Sequence, residues 1–426
     1  MIRNDRTNIS SSDTIIYKSL KEALKNPEKV YRLDLSSSQL KKLPPSISKL
    51  KNLVSLDLSF NFIESLPPSI CQLSKLKELV LTENKIWKLP DSIGNLSKLE
   101  KLSISHNLLE TIPESICELV LLTSLDINGN HLSGLPDSIC KLARLKGLFL
   151  SENRISKLPD SMGKLINLET LKLNSNKLAY LPESIWQLKN LNWINLRSNQ
   201  ITNISDSICF LTNLTTLNLE YNNIVNIPEC IGKLELLQYL YLNNNKIKVI
   251  PKSVGQLMKL EELDLSENEI SSLPETICKL RQLTTLNLFN NQISVLPNHF
   301  GGLINLSTLQ IQQNKLTKIP ESFSELTNIK TLSLSFNKFT EYPEIINRLN
   351  NITHLDLSSN EIETIPESIS KLENIVWCQL KFNKISALPK SFKNLTQLKF
   401  LNLAGNPAIN NIDQLKLALP NCEFQY

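Results

Sequence analysis

The stretch LKELVLTENKIWKLPDSIGNLSKL, Leu76–Leu99, decides the fold. Its apolar residues are Leu76, Leu79, Leu81, Ile86, Leu89, Ile93 and Leu96, and Leu99 opens a second copy. In Leu79-Val80-Leu81 the spacing is that of a strand with one buried face. Leu76, Leu79 and Leu81 are expected to point inward, and Glu78, Val80 and Thr82 outward. Asn84 then turns the chain, because its amide both donates and accepts. Pro90 stiffens the return loop and suits the first position of a short helical turn, with acidic Asp91 at its start.

Stepping outward from Asn84 by 23 residues meets asparagine each time, from Asn61 through Asn107, Asn130 and Asn153 to Asn383 and Asn406. Ser38 holds the same phase one step earlier, which makes 17 units with no insertion or deletion. Stacked asparagines at this spacing are expected to form a buried ladder serving the backbone of adjacent units. One such unit cannot bury enough apolar surface alone, so the units must stack on their neighbours.

The pattern LxxLxLxxNxLxxLPxxIxxLxxL resembles the leucine-rich-repeat family. Within it, the 23-residue class of Ras-group and plant disease-resistance-type intracellular proteins is the nearest in look. The flanks KSLKEALKNPEKVYRLDLS and LPNCEFQY are similar to those of bacterial members. The resemblance covers about residues 30–426. It implies an α/β solenoid, a leucine-rich-repeat horseshoe with a concave parallel β-sheet and short helical or 3-10 turns on the convex side. It also implies signalling or regulatory partners, small GTPases among them. The chain lacks the long N-terminal arm that some Ras-group scaffolds carry, so their particular partners do not transfer.

The expected organisation has four parts. Residues 1–11 are polar and expected to be disordered, and 12–29 form a helical cap. Its helix runs from Ser12 to Lys25 and is stopped by Asn26-Pro27. Residues 30–406 are the array, and 407–426 a second cap with a helix over Ile412–Leu419 and a last strand over Cys422–Tyr426.

Composition excludes several functions. The net charge of +5, from 46 basic and 41 acidic residues, is too diffuse for a nucleic-acid binder. No apolar run reaches the length of a membrane span. Residues 1–20 carry Arg3, Asp5, Arg6 and Asp13 and no signal-peptide core, so the expected compartment is the cytoplasm. Cys71, Cys117, Cys140, Cys209 and Cys278 share one phase with Gly94, Gly163, Gly232 and Gly255, which reads as a site for a small residue. Only Cys117 and Cys140 are seen in adjacent units and no CxxC exists, so small buried thiols are expected rather than zinc or disulfides. His106, His131, His299 and His354 have no partner at triad or metal spacing, and no phosphate loop is present. No cofactor, metal or catalytic residue is expected.

Function must come from outward strand residues that the repeat does not dictate. The middle units place Phe149, Trp193, Arg197, Glu220, Tyr221, Tyr239, Tyr241 and Phe289 there. Tyr, Trp and Arg dominate interface energetics, although rings on neighbouring strands also stack on one another. Phe336, Trp377, Phe382 and Phe400 form a second group, either an alternative patch or cap packing. Ser205 stands where other units have proline, either a local flex point or tolerated drift. The reading is a non-catalytic scaffold, monomeric, holding a protein ligand on the concave sheet. Two alternatives remain open: an exported host-interaction protein, and the substrate-recognition part of an enzyme.

Overall fold

The computed structural model describes residues 15–407 and 409–426, so the disorder expected of residues 1–11 lies outside the described residues. The chain divides into two compact units, Met1–Gln200 and Ile201–Tyr426. In the first, the strands are β1 (Ile16–Tyr17), β2 (Arg32–Asp34), β3 (Ser55–Asp57), β4 (Glu78–Val80), β5 (Lys101–Ser103), β6 (Ser124–Asp126), β7 (Gly147–Phe149), β8 (Thr170–Lys172) and β9 (Trp193–Asn195). In the second they are β10 (Thr216–Asn218), β11 (Tyr239–Tyr241), β12 (Glu262–Asp264), β13 (Thr285–Asn287), β14 (Thr308–Gln310), β15 (Thr331–Ser333), β16 (His354–Asp356), β17 (Trp377–Gln379), β18 (Phe400–Asn402) and β19 (Glu423–Gln425). Within each unit successive strands pair in parallel, and in the array each residue faces the one 23 positions on, as Leu79 faces Leu102 and Leu240 faces Leu263. The fold is the expected repeat solenoid, a parallel sheet on one side and 3-10 turns on the other.

The core follows the leucine pattern. Leu76, Leu79, Leu81, Ile86, Leu89, Ile93 and Leu96 are each at most 1% exposed. Most return turns begin one residue after proline, which acts as N-cap rather than as first helical residue. Pro113, at φ −69° and ψ 145°, precedes the turn Glu114–Glu118. The acidic residue thus occupies the first position, next to the unpaired N–H groups. Ser205 adopts the same geometry, φ −63° and ψ 143°, and its hydroxyl accepts from Ser207 N–H. The coil keeps its shape without proline because serine caps the turn.

The asparagine ladder is present as expected. Asn84 Nδ2 donates to Leu81 O at 3.1 Å and to Leu58 O, one coil back, at 2.9 Å. Its Oδ1 accepts from Ile63 N–H at 3.0 Å. One buried amide therefore ties two coils together, which is why asparagine holds this position in every unit after the first, where Ser38 has no coil of the array behind it.

A second periodic feature was not foreseen. The residue before each ladder position is left-handed, from Ser37 (φ 53°) through Glu83 (57°), Ser175 (58°) and Tyr221 (52°) to Phe382 (53°). Only Gly129 and Gly405 relieve the steric cost at this phase. The turn geometry is imposed by tertiary stacking, which overrides local preference.

The ends differ in detail from expectation. Of the expected helix over Ser12–Lys25, the described residues form β1, paired with β2, and then the short α1 (Leu20–Ala23), capped by Ser19. Ile15, Ile16 and Tyr17 are strand formers with an open strand edge beside them, and the edge wins. The C-terminal helix α2 (Ile412–Ala418) and strand β19, paired with β18, match the expected cap.

The cysteine phase needs two corrections. Trp186 occupies it and is buried, so the position does not always take a small residue. Cys209 is disulfide-bonded to Cys230, with Cα atoms 5.9 Å apart. Cys230 lies 21 residues on, not 23, and so escaped a reading along one phase. Neighbouring turns touch across offsets of 21 and 24 residues rather than 23: Gly163 N–H donates to Ser184 Oγ by the first step and Ser161 Oγ to Asp137 O by the second. Cys71, Cys117, Cys278 and Cys378 are buried free thiols, and burial pushes each above its ordinary pKa. That makes them poor nucleophiles and ligands.

Candidate functional site

The outward face of the sheet is less free than strand alternation suggests. Asp57 Oδ1 accepts from Ser59 N–H and Oγ at 2.8 and 2.6 Å, and Asp264 and Asp356 hold Ser266 and Ser358 in the same way. Asn195, Asn218 and Asn287 take the N–H of Arg197, Glu220 and Phe289 at 3.0, 3.1 and 3.1 Å. These outward Asp and Asn residues end the strand by local side-chain-to-backbone bonds. They also fix the backbone from which three of the candidate residues project.

In the first unit the structure gathers Phe149 and Trp193 around a residue the sequence reading passed over, Lys172 of β8. Its Nζ lies 4.2 Å from the Trp193 ring centroid and 5.6 Å from that of Phe149. Residue 172 is 23 positions beyond 149, on the strand between β7 and β9, and that step was the signal available. The Phe149 ring lies over Gly147, where an added Cβ would sit 2.8 Å from its Cε2. Glycine therefore lets the ring lie flat on the sheet. Trp193 is 40% exposed, and Arg197 is exposed just past the end of its strand. The result is a cation held between rings with its outer side open to solvent.

In the second unit Tyr239 and Tyr241 of β11 donate their hydroxyls to Glu261 and Glu262 at 3.3 and 3.0 Å. Glu261 charge beside Tyr239, and burial of Tyr241 followed by its bond to Glu262, push both phenols above their usual pKa. Both remain protonated donors at neutral pH. Tyr221 is left-handed and 46% exposed. Phe289 is half-buried beyond β13, two strands from β11. Further along, His354 is tilted against Trp377, which stacks on Phe400, with centroids 6.1 and 5.8 Å apart. Phe336 and Phe382 stand exposed at left-handed positions instead. An exposed aromatic group near the start of the array, Phe60, Phe62 and Trp87, was also missed, and Lys85 Nζ lies 5.6 Å from the Phe62 ring. These rings follow the ladder asparagine or precede it, outside the outward strand positions.

Among the described residues no group of three His, Cys, Asp or Glu is placed to hold a metal, and no helix is long and apolar enough to cross a membrane.

Comparison with known proteins agrees with this geometry. The profile of a leucine-rich repeat region matches residues 31–111, 137–217 and 229–344. Leucine rich repeat profiles also match 189–247, 351–407 and 121–142. A solved leucine-rich-repeat protein from Leptospira interrogans is similar at 33% identity, over 97% of this chain and 100% of that one, with a TM-score of 0.79. The plant peptide hormone receptor RGFR1, solved in complex with RGF2, is similar at 34% identity over 92% of this chain and 66% of that one, with a TM-score of 0.80. The ectodomain of the Arabidopsis receptor kinase HAESA, solved with an extended IDA peptide hormone, shows 30% identity over 88% and 70%, with a TM-score of 0.65. No curated protein matches by sequence.

Proposed function

The chain belongs to the leucine-rich-repeat family, and on that premise we propose that it is a non-catalytic scaffold that binds a protein or peptide ligand on the outward face of its sheet. The observation that carries this is the exposed Trp193, held by Lys172 on a face whose other polar residues mostly serve the fold. A large ring kept on a flat sheet surface is the residue type that anchors interfaces, and an uncovered aromatic surface is a liability without a partner. Two similar structures are complexes with peptide hormones, which supports a peptide or protein ligand here. The resemblance to the Ras-group class makes signalling the proposed setting and small GTPases the first partners to test, with the cytoplasm as the compartment. The test is affinity capture from lysate with wild type and with Trp193→Ala/Tyr239→Ala/Tyr241→Ala. A ligand held on the sheet face is lost from the triple variant at unchanged circular dichroism. Undiminished capture overturns the proposal.

One observation favours a second reading, that of an exported binding protein. The Cys209–Cys230 bond is of a kind that persists in oxidising compartments. Alkylation with mass mapping of the protein taken directly from its source cells separates the two. A thiol pair there supports the cytoplasm, and a disulfide supports export.

A further inference from the structure

Coil 261–269 differs from its neighbours in charge. It places Glu261, Glu262, Asp264 and Glu267 on the sheet face. The matching positions one coil back are Gln238, Tyr239, Tyr241 and Asn244, and one coil on they are Thr284, Thr285, Asn287 and Asn290. None of these eight is basic. The hydrogen bonds that reach the four carboxylates come from neutral donors: Tyr239 and Tyr241 hydroxyls, Ser266, and the Asn287 and Asn290 amides. Other carboxylates find lysines, as Glu100 finds Lys77 and Glu169 finds Lys146, both at 2.8 Å, and as Glu269 at the end of this coil finds Lys248 at 3.6 Å. On a chain of net charge +5, this acidic stripe is a local departure.

A second observation points the same way. Asn243 lies two residues beyond Tyr241, next to Ser266 by the strand register, and so beside the stripe on the same face. It is 9% exposed, and its Oδ1 has no hydrogen-bond partner. A buried acceptor without a donor is costly. Four carboxylates balanced only by neutral groups, with an orphaned amide oxygen beside them, are complemented by N–H donors bearing positive charge. The tyrosine rings beside them add faces that attract cations. A recess of about 530 Å³ adjoins the stripe at Glu261 and is lined further on by Lys330, so the stripe and not the recess supplies the site. The stripe lacks the geometry of a metal site, and its charge repels nucleic acid and acidic lipid.

We propose that the sheet face of β11 to β13 is a docking site for a protein segment rich in lysine or arginine. This rests on the scaffold reading above and names the chemistry of its ligand. Exposed charge pairs are each worth a few-fold in binding at moderate salt, so loss of three carboxylates is expected to weaken binding by about 10-fold or more. Raising the ionic strength has the same direction of effect.

The test uses the full chain and a fluorescent twelve-residue peptide of alternating arginine and serine, with a glutamate–serine peptide as control, read by anisotropy at low and high salt. The basic peptide binds wild type, while Glu261→Gln/Glu262→Gln/Glu267→Gln binds about 10-fold more weakly or worse. Removing the same charge from the first unit, with Glu83→Gln/Glu110→Gln/Glu152→Gln, leaves binding unchanged. Asn243→Leu, which alters no charge, weakens it several-fold. The inference is overturned if the basic peptide fails to bind, if the acidic one binds as well, or if both triple variants fall equally. Partner capture with Trp193→Ala/Tyr239→Ala/Tyr241→Ala is run alongside. Lost capture with unchanged peptide binding in the glutamate triple variant refutes this inference alone, and unchanged results in both refute the scaffold reading as well.

Discussion

Replacing Asn130 by alanine and by aspartate tests the ladder, because the two variants are expected to exchange rank with pH. Asn130 is 3% exposed. Its Oδ1 accepts from Leu109 N–H at 2.9 Å, and its Nδ2 points at Ile104 O, Ile127 O and Asn128 O at 3.0, 3.2 and 3.1 Å. Alanine orphans the Leu109 N–H outright, whereas Ile104 O keeps Asn107 and Ile127 O keeps Asn153. One buried unpaired donor, three weakened carbonyls and a small void cost about 3 kcal/mol, with little dependence on pH. Aspartate keeps the Leu109 bond but turns an oxygen toward three carbonyl oxygens. It must take up a proton to fit. Doing so at pH 7 from an unfolded pKa of about 3.9 costs about 4 kcal/mol, at about 1.4 kcal/mol per unit. The donor bonds still missing add about 1 kcal/mol. The folded-state pKa of this carboxyl is raised, so the native state holds more protons than the unfolded one in this range. Stability is then greatest below the unfolded pKa and falls as pH rises. At pH 7 aspartate is the worse variant, and near pH 4 the milder one. Urea unfolding of wild type and both variants at the two pH values measures the differences, and amide exchange over Ile104–Leu109 in the three proteins localises them. An aspartate variant no worse than alanine at pH 7, or a rank that does not reverse near pH 4, refutes the account.

Other outcomes follow from the same geometry. Ser175→Gly removes a left-handed serine at φ 58° and is expected to stabilise by about 0.5–1 kcal/mol, seen as a raised Tm, while Ser175→Val lowers it. Gly163→Ala places a Cβ 2.2 Å from Ser184 O and is expected to cost about 1–3 kcal/mol in urea unfolding. Cys209→Ser and Cys230→Ser remove a link across 21 residues. Each is expected to lower stability by about 2–4 kcal/mol without reductant and to leave it unchanged with reductant, against wild type treated alike.

Strict periodicity made much of the molecule legible. Once Asn61 to Asn406 recur without a slip, strand, ladder and turn are each determined by one unit, and Leu79 facing Leu102 follows by counting. What stayed hidden arises between units. Cys230 meets Cys209 by a 21-residue step, because neighbouring turns are offset against the strands. Glu83 and Tyr221 are left-handed because their neighbours hold the turn, and nothing in either residue announces it. At the N-terminus Ile16 reads equally well as part of one helix face with Leu20, Ala23 and Leu24, and only the open edge of β2 decides for a strand over Ile16–Tyr17.

The same logic sorts the candidate residues. An outward side chain that the repeat uses for itself recurs at its phase, as Asp57, Asp264 and Asp356 do in holding the serine two residues on. An outward side chain that breaks its phase has no such employment. Lys172 between two rings is a break of that kind. Glu261, Glu262 and Glu267 each recur singly in other coils, as Glu100, Glu78 and Glu83 do, and depart only in standing together in one coil opposite residues without charge. They were harder to see than Trp193 or Tyr239 because lysine and glutamate are ordinary on a surface, and only comparison with the residue 23 positions away marks them. In a solenoid whose coils are nearly interchangeable, ligand specificity has to reside in such departures, since any residue common to every coil binds everywhere along the array or nowhere.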